Sequence, residues 1–186
     1  MQRPRRPRPG PASSDHHDPL SSLASAAAAG HSQALEELVR LTQPDVWRLC
    51  VALGSRGHEE DLVQETYLRA IRSLGSYRSE APFRSWLLSV ARHVCADDVR
   101  KRERQRRLLT RVTPTVSDDT PEHGYTETLL SHLDPDRRDA FVLTQVAGVS
   151  YVDAAVILGC AVGTIRSRVA RARIDLRELV AISETA

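Results

Sequence analysis

Residues 150–173, Ser-Tyr-Val-Asp-Ala-Ala-Val-Ile-Leu-Gly-Cys-Ala-Val-Gly-Thr-Ile-Arg-Ser-Arg-Val-Ala-Arg-Ala-Arg, constrain the fold more than any other part of the chain. They predict two short helices around a tight turn. Ser150 suits an N-cap, because its hydroxyl can accept from a first-turn N–H. Ala154, Ala155 and Leu158 give a narrow apolar face that lets a second helix come close. Gly159 falls where the first helix must end, and glycine tolerates the positive φ such a turn needs. Val162, Ile165 and Val169 recur at helical spacing and face inward. Thr164, Arg166, Ser167, Arg168 and Arg171 are left toward solvent. A helix-turn-helix needs this division: an apolar rear, and a polar front that enters the major groove and reads base edges.

An amphipathic helical hairpin with a solvated basic face would share much of the pattern. Charge separates the two. Residues 161–177 hold five arginines and one acid, Asp175. A solvated structural helix interleaves acids at i,i+4 for mutual support, and this segment does not. DNA binding is the favoured reading.

Composition narrows the class. A chain of 186 residues holds one medium domain or two small ones. Aromatics are scarce, Ala and Leu abound, and no segment alternates strictly between apolar and polar, so an all-α fold is expected. No apolar run approaches the roughly 20 residues of a membrane span, which argues against membrane insertion. The N-terminal arginines are not followed by an apolar stretch, unlike a secretory signal. Cys50, Cys95 and Cys160 are widely spaced and lie within apolar helical patterns, so buried, reduced thiols in cytoplasm are expected. Seven scattered histidines show no metal-ligand spacing, and no metal or other cofactor is expected. No nucleotide-binding loop or nucleophile–base pair is visible, and the chain does not read as an enzyme.

Net charge is only +2, but the charges are sorted. Residues 100–111 carry Arg100, Lys101, Arg102, Arg104, Arg106, Arg107 and Arg111 against Glu103, whereas residues 112–139 carry seven acids against Arg137 and Arg138. Adjacent basic and acidic blocks suit a protein that meets DNA on one surface and protein on another.

Residues 1–18 read as a disordered basic tail. Leu20, Leu23, Ala24 and Ala27 predict a helix ending at Gly30. A second starts near Ser32, with Leu35, Leu38, Val39, Leu41, Val46, Leu49 and Val51 as its apolar side and Pro44 expected to bend or restart it. Gly54 and Gly57 mark a turn. A third helix begins near His58, where Glu59, Glu60 and Asp61 complement its N-terminal dipole, and closes at Gly75. After a loop over 76–82, a long fourth helix is expected from Phe83 to Arg107, with Leu87, Val90, Ala91, Val94 and Val99 inward. Residues 112–124 look like a linker. Then come a helix around 126–133, another from Pro135 after Asp134, and the helix-turn-helix. Two all-helical domains joined by a flexible acidic segment result.

The first domain carries its own constellations. Asp61, Gln64, Glu65 and Arg69 share related helical faces at three- and four-residue spacings; physics alone favours a solvated face with an internal Glu65–Arg69 pair. Phe83-Arg-Ser-Trp86, followed by a basic helix, joins aromatics to arginines, as stacking on unpaired bases requires. Trp86 fits plain core equally well.

In this order, the motifs resemble the extracytoplasmic-function sigma factors of bacteria, two-domain subunits that bring RNA polymerase to promoters. The resemblance spans about residues 20–179. Asp-Leu-Val-Gln-Glu-Thr-Tyr-Leu-Arg is similar to the region 2 helix that grips the polymerase clamp, so it implies core contacts by Asp61, Gln64, Glu65 and Arg69. Tyr77, Arg78, Phe83, Trp86, His93 and Arg100 lie in segments resembling those that melt DNA and bind the -10 element, with the loop 77–82 holding a flipped base. Thr164, Arg166, Ser167, Arg168 and Arg171 match the region 4 recognition helix for the -35 element. His93 departs from the family, which more often has Asn there; an imidazole offers a base edge a different donor and acceptor set.

The resemblance implies a tail over 1–18, region 2 over 19–108, a linker over 109–125 and region 4 over 126–182. It implies a cytoplasmic, non-enzymatic promoter-specificity subunit. Its partners would be the core clamp of the largest subunit, the flap of the second-largest subunit, and double- and single-stranded promoter DNA. Exposed apolar surfaces would also suit a helical anti-sigma factor. A dimeric helix-turn-helix repressor and a thiol- or metal-responsive adaptor are the rival classes. The first lacks a visible dimerisation heptad, and the second lacks ligand spacing.

Overall fold

The computed structural model describes residues 18–110 and 129–185; all but the last residue of the expected 1–18 tail, most of the linker and the start of the 126–133 helix lie outside them. The described residues are helical, without a strand. The N-terminal module contains α1 (Pro19–Ala28), α2 (Ser32–Leu53), α3 (Glu59–Ser73) and α4 (Phe83–Thr110). The C-terminal module contains α5 (Pro135–Phe141), which runs on through a π-type turn at Val142–Val146, then α6 (Tyr151–Leu158) and α7 (Val162–Thr185).

Local chemistry sets the helix starts. Asp18 is ordered and caps α1 by accepting from Leu20 N–H at 3.1 Å, and its second oxygen accepts from Phe83 N–H at 3.0 Å. One carboxylate thus joins the beginnings of α1 and α4, satisfying donors that a helix leaves unpaired at its N-terminus. Asp134 caps α5 and Pro135 occupies the first helical position, as expected.

The helix does not restart at Pro44: α2 runs unbroken from Ser32 to Leu53. Buried residues on both sides of it, Leu38 and Thr42 before and Val46 and Leu49 after, press one continuous helix into the core. That packing outweighs the single backbone hydrogen bond that proline removes. Leu41, expected inward, is exposed, and the inward position is taken by Thr42, whose hydroxyl donates to Leu38 C=O at 2.7 Å. Gly54 is needed for space: a Cβ there would lie 2.3 Å from Leu62 Cδ1 and 2.6 Å from the Cys50 carbonyl oxygen.

The N-terminal core packs Leu49, Leu62, Phe83, Leu87, Ala91 and Val94; the C-terminal core packs Leu143, Ala154, Ile165, Val169 and Ala172. Cys50 and Cys95 are buried neighbours between α2 and α4, whereas Cys160 is only partly buried, which corrects the expectation of three buried thiols. The two modules touch, with α2 against the π-type turn and α4 against α6.

Candidate nucleic-acid and polymerase interface

The helix-turn-helix forms as its residues dictate. Ser150 Oγ accepts from Asp153 N–H at 3.0 Å, and Gly159 ends α6 in the left-handed region at φ 63°. Ile165 and Val169 are buried against Ala154 and Ala155, with Val162 half-buried. Arg166, Ser167 and Arg171 stand exposed on the outer face of α7, and Thr164 is half-buried at its start. Ser167 Oγ donates to Thr164 C=O at 2.9 Å, which leaves the hydroxyl oxygen free to accept.

The arginines of α7 divide into two groups. Arg168 turns back, pairing with Asp136 of α5 and lying 3.7 Å from Cys160 Sγ. Arg173 donates to Gln145 at 2.7 Å, and Gln145 in turn reaches Tyr151. Asp175 accepts from Arg137 at 2.7 Å. These links tie α7 to α5 and to the base of α6. Arg166 and Arg171 have no such partner among the described residues. Charge spacing alone did not separate structural arginines from outward ones; their partners, Asp136 and Gln145, lie 28 or more residues away in sequence.

In the N-terminal module, Tyr77, Phe83 and Trp86 form one aromatic cluster, each pair of ring centroids 5.3 Å apart. Phe83 is fully buried. Tyr77 and Trp86 are half-buried. The Tyr77 hydroxyl donates to Ala81 C=O at 2.7 Å and meets Ser21 Oγ at 2.9 Å, which folds the loop 77–82 onto the start of α4. Arg78 is exposed in that loop.

Trp86, His93 and Arg100 follow one face of α4 at seven-residue steps. His93 Nδ1 lies 2.6 Å from Ser89 C=O, and a carbonyl can only accept, so Nδ1 carries the proton. In the neutral tautomer with that proton on Nδ1, Nε2 is the acceptor. Arg100 donates to Asp97 at 2.7 Å.

On α3, Asp61 and Gln64 are exposed, and Glu65 and Arg69 are half-buried. The expected Glu65–Arg69 pair forms at 2.6 Å, and Arg69 also donates to Asp97 of α4 at 2.7 Å. Arg69 first, then Arg100, hold the Asp97 carboxyl below its ordinary value. Asp97 therefore connects α3 to the arginine-rich helix α4. The sequence reading missed it, together with Arg84 and Arg92; an i,i+3 step from Asp97 to Arg100 and an i,i+8 step between the arginines were the available signals.

A helix-turn-helix module with outward arginines, tethered to a four-helix module with an aromatic cluster under a basic helix, defines a DNA-binding transcription protein. Comparison with known proteins gives the family. Residues 38–105 match the model of Sigma-70 region 2, and residues 123–176 match that of Sigma-70, region 4. The ECF RNA polymerase sigma factor SigC of Mycobacterium tuberculosis is 41% identical over 169 residues, covering 87% of this chain and 91% of that protein. EcfG of Rhodopseudomonas palustris is 33% identical over 156 residues, covering 80% and 86%.

Among solved structures, CnrH in complex with the cytosolic domain of CnrY superposes with a TM-score of 0.70 at 28% identity, covering 87% of this chain and 97% of that one. The sigma factor RpoE of Bartonella quintana, in complex with the anti-sigma factor NepR, gives 0.66 at 31% identity, covering 80% and 97%. The chain belongs to the extracytoplasmic-function sigma factors of the sigma-70 family. It is a sigma subunit of RNA polymerase acting in transcription initiation, and its partners are the polymerase core and promoter DNA. Among the described residues no helix is long and apolar enough to cross a membrane.

Proposed function

We propose that this chain recognises promoters in two places, reading a -35 duplex with α7 and capturing non-template bases of the -10 element on the Tyr77–Trp86 face and along α4. The observation that carries this reading is the sorting of arginines on α7: Arg168 and Arg173 are bound internally, while Arg166 and Arg171 flank Ser167 on the open face. An exposed guanidinium is the group best matched to a guanine edge or a phosphate. Arg168 then supports the recognition helix more than it reads DNA.

At the -10 element, Tyr77 and Trp86 present ring surface on which an unstacked base can rest, with Phe83 as the rigid backing. Stacking is worth about 1–3 kcal/mol per base, comparable with the few kcal/mol per step that unstacking costs. Arg78, His93 and Arg100 flank that surface with charge and an acceptor. Melting on this account is driven by binding, and no catalytic chemistry by this chain is needed. Asp61, Gln64, Glu65 and Arg69 engage the clamp of the largest subunit, region 4 engages the flap of the second-largest, and the complex works in the cytoplasm. An anti-sigma factor is a proposed partner, by likeness to RpoE.

Run-off transcription with purified core on fragmented genomic DNA tests the reading. Transcripts should begin at a recurring two-part sequence, and the Asp61→Ala, Glu65→Ala double variant should lose at least tenfold in affinity for core while keeping its fold. Specific duplex binding without core and no transcript with it would favour the dimeric repressor instead.

A further inference from the structure

The loop 77–82 is held from outside itself. Asp18 Oδ2 accepts from Phe83 N–H and from Ser21 Oγ, both at 3.0 Å, and Ser21 Oγ lies 2.9 Å from Tyr77 Oη. Tyr77 Oη in turn reaches Ala81 C=O at 2.7 Å. One row of oxygens thus runs from the start of α1 to the far end of the loop, and its Ser21–Tyr77 step joins residues 56 apart in sequence. Asp18, Ser21, Tyr77 and Ala81 are all half-buried, so water competes weakly for the row.

The row has fewer hydrogens than contacts. A carboxylate and a carbonyl only accept, and each hydroxyl brings one hydrogen. Two hydrogens therefore serve three contacts. With Ser21 donating to Asp18, Tyr77 can donate to Ala81 or to Ser21, and the number of filled contacts is the same either way. The loop can release Ala81 while α1 keeps its hold on the tyrosine. Between Tyr77 and Ala81, Ser79 has φ 55°, in the left-handed region. A Cβ makes that region costly, and such a residue persists only where its surroundings over-determine it. The Tyr77–Ala81 contact brackets Ser79 from both sides.

We infer that Ser21, oriented by Asp18, is a positioning residue for the -10 element: it sets the Tyr77 ring and the strained loop in the shape that receives an unstacked base, before the base arrives. The role rests on the reading of Tyr77 and Trp86 as the base-capturing surface. Neither Asp18 nor Ser21 needs to touch DNA. The Tyr77 ring is fixed at its hydroxyl by α1 and at its body by the T-shaped contact with Phe83, centroids 5.3 Å apart. A ring held at both places loses little freedom when a base lands on it, which is how pre-organisation raises affinity.

Each hydroxyl can be removed with little else. Ser21→Ala keeps the Asp18 contacts with Leu20 N–H and Phe83 N–H, and Ala is the better helix former. Tyr77→Phe keeps the whole ring. Holoenzyme carrying each variant, or the conservative Ser21→Thr, is titrated with a mapped promoter left unpaired over its -10 element. An abasic site is then walked along the non-template strand. In wild type, the captured base should appear as one position where the abasic site weakens binding about 5- to 150-fold, the value of one stack. That penalty should shrink at least threefold in Ser21→Ala and Tyr77→Phe alike and stay at the wild-type value in Ser21→Thr, with affinity for core unchanged in all three.

A full penalty in Ser21→Ala and Tyr77→Phe would overturn the positioning role, because a merely structural loss weakens intact and abasic strands equally. A shrunken penalty in Ser21→Thr as well would overturn the hydroxyl as its cause. Should Ser21→Ala fail to fold, Tyr77→Phe decides alone. No abasic-sensitive position in wild type would overturn the base-capture reading itself, and the positioning role with it.

Discussion

Replacing Arg171 with Ala should weaken promoter binding without weakening the fold. Arg171 is exposed on the outer face of α7 and has no ion pair among the described residues. Its removal leaves no orphaned carboxylate, and Ala is the better helix former, so stability should stay within about 0.5 kcal/mol of wild type. On DNA the loss depends on what Arg171 touches. A bidentate base contact is worth about 1–3 kcal/mol, a 5- to 150-fold loss confined to one base pair. A phosphate contact would lower affinity across all sequences and reduce the salt slope by about 0.9. Arg168→Ala should behave differently: it strips Asp136 and Cys160 of their partner, costing up to about 1 kcal/mol and so ~4–8 °C in the melting of a module this small. Holoenzyme binding to a mapped promoter over a salt series, with thermal melts of each free variant, separates the two. A fall in melting temperature for Arg171→Ala, or unchanged binding and salt slope, would refute the sorting of arginines on which the reading rests.

Two further outcomes follow from packing and charge. Gly54→Ala should destabilise the N-terminal module by about 1–3 kcal/mol, because the new Cβ meets the Cys50 carbonyl oxygen at 2.6 Å; chemical denaturation reads this, and a neutral result would mean that the turn shifts freely. Burial pushes the Asp45 carboxyl up, but Arg84 and Arg48 outweigh it and hold the group below its ordinary 3.8. Its contribution is therefore complete above the unfolded-state value and is lost as pH falls through the lower folded-state value. Thermal melts from pH 5 down to pH 3 should show that loss, and Asp45→Asn should flatten it.

The helix-turn-helix was legible because each of its determinants is local: Ser150 caps its own first turn, Gly159 turns its own chain, and Ile165 and Val169 share a 3.6-residue period. The same holds for the acidic start of α3 and the Asp134–Pro135 start of α5. Pro44 and Leu41 misled for one reason: local propensity and pattern were overridden by the tertiary face that α2 presents, where Thr42 takes the buried place. Asp18 misled because composition assigned it to the leader, while its partner, Phe83 N–H, lies 65 residues away. The contacts between the modules were invisible for the same reason. Arg84 and Arg92 look like two more cations on a basic helix until Asp139 and Ala147 are brought against them.

Arginine here does two jobs that sequence cannot distinguish and partners can. Where a carboxylate from another element is within reach, as at Arg84, Arg92, Arg137 and Arg168, the guanidinium joins helices. Where none is, as at Arg166 and Arg171, the guanidinium stands exposed without a partner among the described residues. The acids of the C-terminal module are the sorting agent: Asp136 and Asp175 draw inward the arginines that build the module, and Asp139 reaches across to one on α4. Deoxyribose phosphates carry the same charge as these carboxylates and can compete for the same guanidiniums. At the boundary between the modules one such pair, Arg92–Asp139, stands beside the Arg84 contact with the Ala147 carbonyl.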